Sequence, residues 1–151
     1  IFFFFYENFK MNTIQMSQSF NAPRQEIFNY LSDHENLGSI LSANIKRIKN
    51  SDGNNPNGVG SVRSIRMGIE ILQETVVTFD EPNLIEYKIT SNVPINYHLG
   101  RLAFSSPEPG KTMLNYTITM ESKLSFADGI LGFILKTVIS NGLKKLAAKY
   151  R

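Results

Sequence analysis

The chain has 151 residues, of which 42% are hydrophobic and 19% are charged, and its formal net charge is +3. This length suits a single domain, and the lysines and arginines are scattered, which argues against a nucleic-acid partner. Cysteine is absent, and the only histidines are His34 and His98. Disulfides, thiolate chemistry and a three-histidine zinc site are therefore excluded, and we expect neither a metal nor a cofactor.

The first ten residues differ in character from the rest of the chain. The run from Ile1 to Tyr6 is apolar, but it is too short to span a membrane and lacks a preceding basic region. Met11 then opens a sequence typical of a normal start. We therefore expect residues 1–10 to be an extension outside the fold and residues 11–151 to form one domain. The alternative for the extension is a short extra strand or an apolar anchor. We expect a cytoplasmic protein without integral membrane association.

The next segment predicts one strand and two short helices. Apolar and polar residues alternate from Ile14 to Phe20, with one exception at Gln18, which indicates a half-buried strand. Asn21-Ala22-Pro23 ends this strand and begins a helix, because proline is tolerated in the first helical turn. A second short helix is predicted from His34 to Leu41. His34 has polar neighbours, so we expect it to be solvated or to begin this helix.

Strands dominate the middle of the chain. Their predicted ranges are Ala43–Asn50, Val59–Met67, Ile69–Phe79, Leu84–Ser91, Ile95–Ser105 and Thr112–Leu124. The breaks between them are short and fall at turn-forming residues, including Gly68 and Pro94, which predicts hairpins and an antiparallel sheet. The period-two pattern predicts the inner residues of two strands as Ile85, Tyr87, Ile89, Leu114, Tyr116, Ile118 and Met120.

A long helix is predicted from Ala127 to Tyr150. Its apolar arc covers roughly 180° and consists of Leu131, Ile134, Leu135, Val138, Ile139, Leu143 and Leu146. So apolar a helix must lie on an equally apolar surface, which the strands supply. The sequence therefore predicts an α+β fold, in which a curved antiparallel sheet of about six to seven strands wraps the C-terminal helix. Two short helices follow the first strand, and a cavity is expected between sheet and helix.

Three residues of this helix are candidates for contact with a ligand. Ile134, Val138 and Gly142 are spaced four apart and so share one helix face. A glycine in mid-helix costs roughly 1 kcal/mol relative to alanine. Gly142 therefore indicates either a close approach to the sheet or space left for a ligand.

Polar residues on the strands are candidates for orienting a ligand or for acid–base chemistry. If Glu74 points inward, it needs a partner such as Lys46 or Arg63, but the sequence favours an exposed position for it. Tyr97 and His98 point to opposite faces of one strand, and the pattern does not tell which is inward. For His98, a structural role is favoured over that of a general base.

Tyr87 and Tyr116 are expected mainly in the core, with hydroxyls that can orient a ligand. The chain contains no nucleophile elbow, phosphate-binding loop or metal-ligand spacing.

Several short motifs resemble a known family in their order and spacing. They are Asn21-Ala22-Pro23 with Ile27-Phe28 and Leu31-Ser32-Asp33, Gly58-Val59-Gly60 with Val62-Arg63, Glu74-Thr75-Val76, Leu84-Ile85-Glu86-Tyr87, and Lys111-Thr112-x-Leu114-x-Tyr116. Together they resemble the polyketide cyclase/dehydrase and lipid-transport superfamily, whose START-like helix-grip fold is shared with birch-pollen allergen. The resemblance covers Met11 to Arg151, although Ser39-Ile40-Leu41 stands where a tryptophan is often seen. It implies a cavity for a hydrophobic ligand; some members are cyclases, and others are carriers or receptors.

A more distant resemblance to the plant abscisic-acid receptors implies roles for individual residues. Ile45-Lys46 resembles the region of their ligand-carboxylate lysine, and Glu74 resembles their inward glutamate. The ligand-facing line of their helix corresponds to Ile134, Val138 and Gly142. Their gate-loop motif is not recognisable around Met67-Gly68-Ile69, so a hormone-type latch is not implied.

The sequence thus predicts a protein that binds a small hydrophobic or amphipathic molecule, and it favours such a binding protein over an enzyme. The predicted ligand-binding residues are Lys46, Arg63, Glu74, Tyr87, Tyr97, His98, Tyr116, Ile134, Val138 and Gly142. The first alternative is a cyclase, dehydratase or isomerase that acts through Glu74 or His98. The second alternative is a protein-interaction module, which a large exposed apolar patch over a filled core would favour.

Overall fold

The computed structural model describes residues 10–67, 70–91, 93, 95–122 and 125–150 of the chain. The strands are β1 (Lys10–Phe20), β2 (Asn44–Lys49), β3 (Val62–Met67), β4 (Glu70–Asp80), β5 (Leu84–Ile89), β6 (Ile95–Ser105) and β7 (Thr112–Ser122). The helices are α1 (Arg24–Ser32), α2 (His34–Leu41) and α3 (Ser125–Ala148). Residues 1–9 of the predicted extension, and the predicted breaks at Gly68 and Pro94, lie outside the described residues.

The strands form one antiparallel sheet in the order β1-β7-β6-β5-β4-β3-β2. From β2 to β7 each strand pairs with its neighbour in sequence, as the short connections predict. β1 instead pairs with β7, with Ile14 opposite Ile118. The two short helices connect β1 at one edge of the sheet to β2 at the other. The predicted α+β helix-grip architecture is confirmed.

Local sequence explains where the short helices begin and end. α1 begins after Pro23, whose φ of −61° suits the first helical turn. α2 begins where the side chain of Asp33 accepts a hydrogen bond of 3.0 Å from the backbone N–H of Glu35. It ends at Leu41 and is followed by the C-cap residue Ser42, which has a left-handed φ of 53°. α2 therefore has the bounds predicted from the sequence.

Other element ends differ from prediction by up to four residues, and the largest difference is the start of β1 at Lys10, where the alternation began at Ile14. β3 begins at Val62 and not at Val59, because the preceding residues form a turn in which the N–H of Ser61 donates to the carbonyl of Gly58 at 3.1 Å. α3 begins at Ser125 and not at Ala127. The predicted β6 range, Ile95 to Ser105, is confirmed.

The core lies between the helices and the inner face of the sheet, which is the face that carries Leu114 and Tyr116. The largest fully buried side chains include Phe20, Ile27, Phe28, Leu114, Leu143 and Leu146. The ring of Phe28 packs edge-on against Phe79 and Phe104, with centroid distances of 5.1 and 5.2 Å. The predicted inner residues of β7 are all buried, and Ile85 and Tyr87 of β5 are buried with them.

Within the described ranges, other elements cover one side of α3. Ile139, Leu143 and Leu146 are buried. Phe133, Ile134 and Val138 are 73%, 49% and 42% exposed. The expectation that the whole apolar arc is buried was wrong for Ile134 and Val138, because no described element covers that side of the helix. The side chain of Leu131 lies outside the described residues. No helix in the described ranges is long and apolar enough to cross a membrane.

Candidate ligand-binding site

Five of the predicted ligand-binding residues lie together on the inner face of the sheet. They are Arg63 on β3, Glu74 on β4, Tyr87 on β5, His98 on β6 and Tyr116 on β7, and we call them the inner polar cluster. Each member comes from a different strand. Residues that are opposite one another in paired strands point to the same face, so the register of the sheet brings the members together.

Arg63 and Glu74 form a buried ion pair. The Nε and Nη2 atoms of Arg63 lie 2.6 and 2.5 Å from Oε2 of Glu74. The expectation that Glu74 is exposed was wrong, and of the two partners considered for an inward glutamate, Arg63 is the one in contact. Burial alone lowers the pKa of Arg63, but the Glu74 carboxylate outweighs this effect, so the pKa lies above its usual value. Arg63 therefore keeps its charge, and a buried charge of this kind depends on a partner in direct contact with it.

Tyr87 lies at the centre of the cluster. The guanidinium carbon of Arg63 is 4.3 Å from the centroid of its ring, which is a cation–π contact. At the other end, its hydroxyl is hydrogen-bonded to the hydroxyl of Tyr116. Gly100 makes room for this arrangement, because any side chain there would overlap the Tyr87 ring. Burial raises the pKa of Tyr116 to about 12 and that of Tyr87 well above its usual value, so both hydroxyls keep their protons at neutral pH.

His98 completes the cluster, with its ring centroid 5.6 Å from that of Tyr87. The sequence pattern left open whether Tyr97 or His98 is inward, and the structure places His98 inside. Its Nδ1 accepts a hydrogen bond of 3.1 Å from the backbone N–H of Ile89. Burial, and then the charge of Arg63, lower the pKa of His98 to about 4, so the ring is neutral at neutral pH. A neutral imidazole that accepts at Nδ1 carries its proton on Nε2.

Lys46 and Tyr97 do not join the cluster. Lys46 is exposed on β2 and, with Asn44, Ser64 and Arg66, lines a shallow cavity of about 150 Å³. Tyr97 is 37% exposed. These two residues therefore lie apart from the inner polar cluster, and their assignment to the ligand stays a prediction. The reason for this separation is strand alternation, because Ile45 and His98 take the inward positions next to them.

The three predicted ligand-binding residues of α3, Ile134, Val138 and Gly142, lie on one face of the helix but differ in burial. Gly142 is buried, and a Cβ atom there would lie 2.8 Å from the carbonyl oxygen of Ile40 and 3.0 Å from Cδ2 of Leu41. Gly142 therefore marks a close approach of α3 to α2. The sequence considered an approach to the sheet or space for a ligand, and both expectations were wrong. Ile134 and Val138, on the preceding turns, are partly open to solvent; we call these two residues the uncovered stripe.

Two cavities among the described residues lie at the surface. The larger, about 370 Å³, opens between the end of β1 and the C-terminal end of α3. It is lined by Gln18, Ser19, Asn21, Lys144, Ala147 and Ala148. Neither cavity is lined by a member of the inner polar cluster or by the uncovered stripe.

Sequence reasoning missed two buried polar residues. His34 begins α2, as considered, but it is 2% exposed and not solvated. Burial, and then the charges of Arg63 and Arg47, lower its pKa to about 3. Its Nδ1 and the Oγ of the buried Ser61 have no hydrogen-bond partner in the described ranges. A signal for His34 existed, because His34, Leu37, Gly38 and Leu41 follow the spacing of a buried helix face. For Ser61, the only sequence signal was its position two residues before Arg63, which in a strand places both side chains on the same face.

The fold has this strand order, a long C-terminal helix against β1, two short helices after β1 and polar groups turned inward. Together these features define the START-like helix-grip class of proteins. Within that class, the sequence model of the polyketide cyclase/dehydrase and lipid-transport family matches residues 11–151. The chain therefore belongs to that family.

Solved structures of diverse proteins have the same fold. A START superfamily protein from Mycobacterium smegmatis is 14% identical with a TM-score of 0.74, over 92% of this chain and 99% of that one. Norcoclaurine synthase from Thalictrum flavum, solved with dopamine and hydroxybenzaldehyde, is 12% identical with a TM-score of 0.68, over 95% and 90% of the two chains. Ara h 8.0201 is 10% identical with a TM-score of 0.65, over 92% and 99%. At such identities the likeness establishes the fold alone. No curated protein matches the chain in sequence.

Proposed function

We propose that this protein binds a small amphipathic molecule between the inner face of the sheet and the N-terminal half of α3. The observation that carries the proposal is that two features lie at the same level of one end of the fold. The inner polar cluster supplies buried hydrogen-bonding groups, and the uncovered stripe supplies apolar surface that nothing described covers. A molecule with one polar and one apolar end matches both.

The positions of the two features along the sheet support this pairing. A Cβ atom on Gly132 of α3 would lie 3.3 Å from Cγ2 of Ile14 on β1. Ile14 is opposite Ile118, which is opposite Gly100, the residue beneath the Tyr87 ring. The turn of α3 that carries Gly132 is therefore at the level of the inner polar cluster, and the uncovered stripe follows within two helical turns.

The apolar surface of the uncovered stripe makes a modest contribution to the binding free energy, which is nevertheless sufficient for selectivity. Complete burial of a valine or isoleucine side chain contributes about 1.5–3 kcal/mol. Because Ile134 and Val138 are 49% and 42% exposed, covering both gains roughly 2 kcal/mol in total. The remaining affinity has to come from the polar end of the ligand and from the apolar surface of the ligand itself.

The same geometry offers little to acid–base catalysis, the alternative function. A general base needs a free lone pair within reach of the substrate proton. Nδ1 of His98 already accepts from Ile89, and its other nitrogen is protonated. Oε2 of Glu74 already accepts a hydrogen bond from Nε of Arg63 and forms an ion pair with Nη2. Norcoclaurine synthase shares the fold and is named as an enzyme, so turnover is nevertheless worth a direct test.

A binding titration with matched variants tests the proposed location. The probe is Nile red, a neutral fluorophore that brightens in apolar sites. We expect Val138→Asn to weaken Nile red binding about fivefold to tenfold, which is about 1–1.4 kcal/mol. The matched control is Phe133→Asn, because Phe133 is 73% exposed but lies on another side of the helix. We expect this variant to bind within about twofold of the parent, and both variants to keep its melting temperature.

A larger effect of Phe133→Asn than of Val138→Asn would contradict the proposal. Nile red would then report the exposed helix surface, as expected for the protein-interaction module. Native mass spectrometry of the protein purified from its source, with a search for a retained small molecule, would identify the ligand. Any retained molecule should be recovered unchanged after incubation. Turnover that is lost in Glu74→Gln at unchanged affinity would instead establish the enzyme.

A further inference from the structure

We infer that the polar end of the ligand is a neutral hydrogen-bond acceptor, such as the carbonyl oxygen of a ketone, aldehyde or amide, and that His98 Nε2–H and the Tyr87–Tyr116 hydroxyl pair bind it. This inference rests on the proposed function and adds the chemical class of the ligand. It makes His98 the residue that determines specificity.

The tautomer of His98 is fixed by the backbone of the neighbouring strand. Nδ1 accepts from the N–H of Ile89 at 3.1 Å, so the proton of the neutral ring is on Nε2. Nε2–H has no hydrogen-bond partner among the residues that the structure describes. His98 is 8% exposed, and Nε2 is not among the fully buried atoms that lack a partner. This donor is therefore open to solvent, and a ligand atom that accepts from it takes the place of water.

The tyrosine pair presents a second donor. Two hydroxyls carry two protons, and the hydrogen bond between Tyr87 and Tyr116 uses one of them. The other proton is available to an acceptor outside the pair. Both hydroxyls keep their protons at neutral pH, because burial raises the pKa of each.

The charges of the cluster favour a neutral ligand group. Arg63 and Glu74 neutralise each other through the contacts of 2.5 and 2.6 Å, and His98 and the two tyrosines are uncharged. A carboxylate or phosphate would therefore lose its hydration without meeting a net positive charge, which is costly. An ammonium group would present donors to donors. A carbonyl oxygen accepts from both free donors and loses little hydration.

Two fluorophores of the same skeleton test this inference. One is propionyl-dimethylaminonaphthalene, whose ketone accepts hydrogen bonds and whose emission shifts to longer wavelength when it does so. The other is propyl-dimethylaminonaphthalene, in which a CH₂ group replaces the carbonyl. We expect the parent protein to bind the ketone about threefold to tenfold more tightly than a simple difference in water–octanol partition predicts, because the ketone gains one net hydrogen bond.

Two substitutions at His98 separate its donor from its packing. His98→Asn places an amide oxygen near the position of Nδ1 and can keep the bond from Ile89, but it has no group at the position of Nε2. His98→Gln reaches the position of Nε2 with an N–H donor. We expect His98→Asn to lose about threefold to tenfold in ketone affinity and to shift the bound emission to shorter wavelength. His98→Gln should retain more of both, and the propyl compound should bind all three proteins within about twofold.

The outcomes distinguish this inference from the proposed function. If both fluorophores bind the parent without any preference for the ketone, or if His98→Asn weakens both equally, the donor site is wrong and the proposed function stands. If neither binds, both fail. Should His98→Asn not fold, Tyr116→Phe gives the same test, because it removes one hydroxyl and keeps the ring. Unchanged ketone affinity and emission in Tyr116→Phe would then overturn the inference.

Discussion

The two halves of α3, at opposite ends of the fold, differ in how far neighbouring elements cover them. At one end, which we call the closed end, the C-terminal half of α3 packs against α2 and β1, with Leu143 and Leu146 at most 1% exposed. At the other, the open end, the uncovered stripe faces outward near the inner polar cluster. Both halves of the helix are rich in apolar residues. The difference lies in their neighbours, since α2 reaches α3 at Gly142 and ends at Leu41.

The comparison teaches that a helix pattern defines which side chains can be buried, whereas the neighbouring elements decide which ones are. We therefore expect the closed end to supply most of the stability and the open end to tolerate apolar-to-polar changes. The ion pair is the exception at the open end, because it is buried and charged. The following predictions test this division, in order of decreasing expected effect.

The ion pair should be the most sensitive feature of the open end. Glu74→Met leaves Arg63 buried without its partner, which typically costs about 3–5 kcal/mol. Replacing both residues by methionine removes the uncompensated charge, so the double variant should recover most of this loss. Urea unfolding of the parent, both single variants and the double variant measures the coupling. Equal destabilisation of the single and double variants would show that shape, and not charge, matters here.

The apolar residues of α3 should divide sharply between the two ends. Leu143→Ala removes a fully buried side chain and should cost about 2–5 kcal/mol. Ile134→Ala removes a side chain that is 49% exposed and should cost less than about 1 kcal/mol. Both free energies of unfolding can be obtained from urea titrations. A loss of more than about 2 kcal/mol for Ile134→Ala would indicate that the stripe is covered in solution.

Gly142 should be intolerant of even one methyl group. Alanine gains roughly 1 kcal/mol in helix propensity, but its Cβ would lie 2.8 Å from the Ile40 carbonyl oxygen. That oxygen belongs to a backbone, so relief requires α2 to move, and overpacking of this kind costs about 1–3 kcal/mol. We expect Gly142→Ala to lower the melting temperature and to leave Nile red affinity unchanged. A stabilised variant would mean that α2 and α3 separate easily.

Acid should destabilise the protein through its two histidines. The folded-state pKa values of His98 and His34 are about 4 and about 3, below the usual 6.5. The unfolded chain therefore binds more protons below pH 6.5, so stability is complete above that pH and falls as pH decreases towards the folded-state values. The slope is up to about 1.4 kcal/mol per pH unit for each histidine. His98→Asn should reduce the slope between pH 6.5 and 4; an unchanged slope would contradict the burial of a neutral ring.

Most of the fold follows from the sequence, but only part of the candidate site does. Period-two alternation located the strands, and β6 and α2 have their predicted bounds. The same alternation predicted that Tyr87 and Tyr116 point inward, and both are buried. The orientation of Glu74 depended on Arg63, which lies opposite it on β3. That of His98 depended on its contact with the N–H of Ile89 on β5. A single strand does not encode which strands are its neighbours. Tertiary contacts likewise decided the environment of Gly142, since its neighbour belongs to α2.

The pairing of β1 with β7 has a consequence for the synthesis of the chain. The hydroxyls of Thr13 and Thr119 are hydrogen-bonded across 106 residues of sequence. At about 5–20 residues per second, β1 waits roughly 5–20 s on the ribosome for its partner strand. During that time Met16 and Phe20, both buried in the finished fold, have neither β7 nor α3 to cover them. We therefore expect the domain to fold only after β7 and α3 have left the ribosome, and its nascent chain to be a client of chaperones that bind exposed apolar segments.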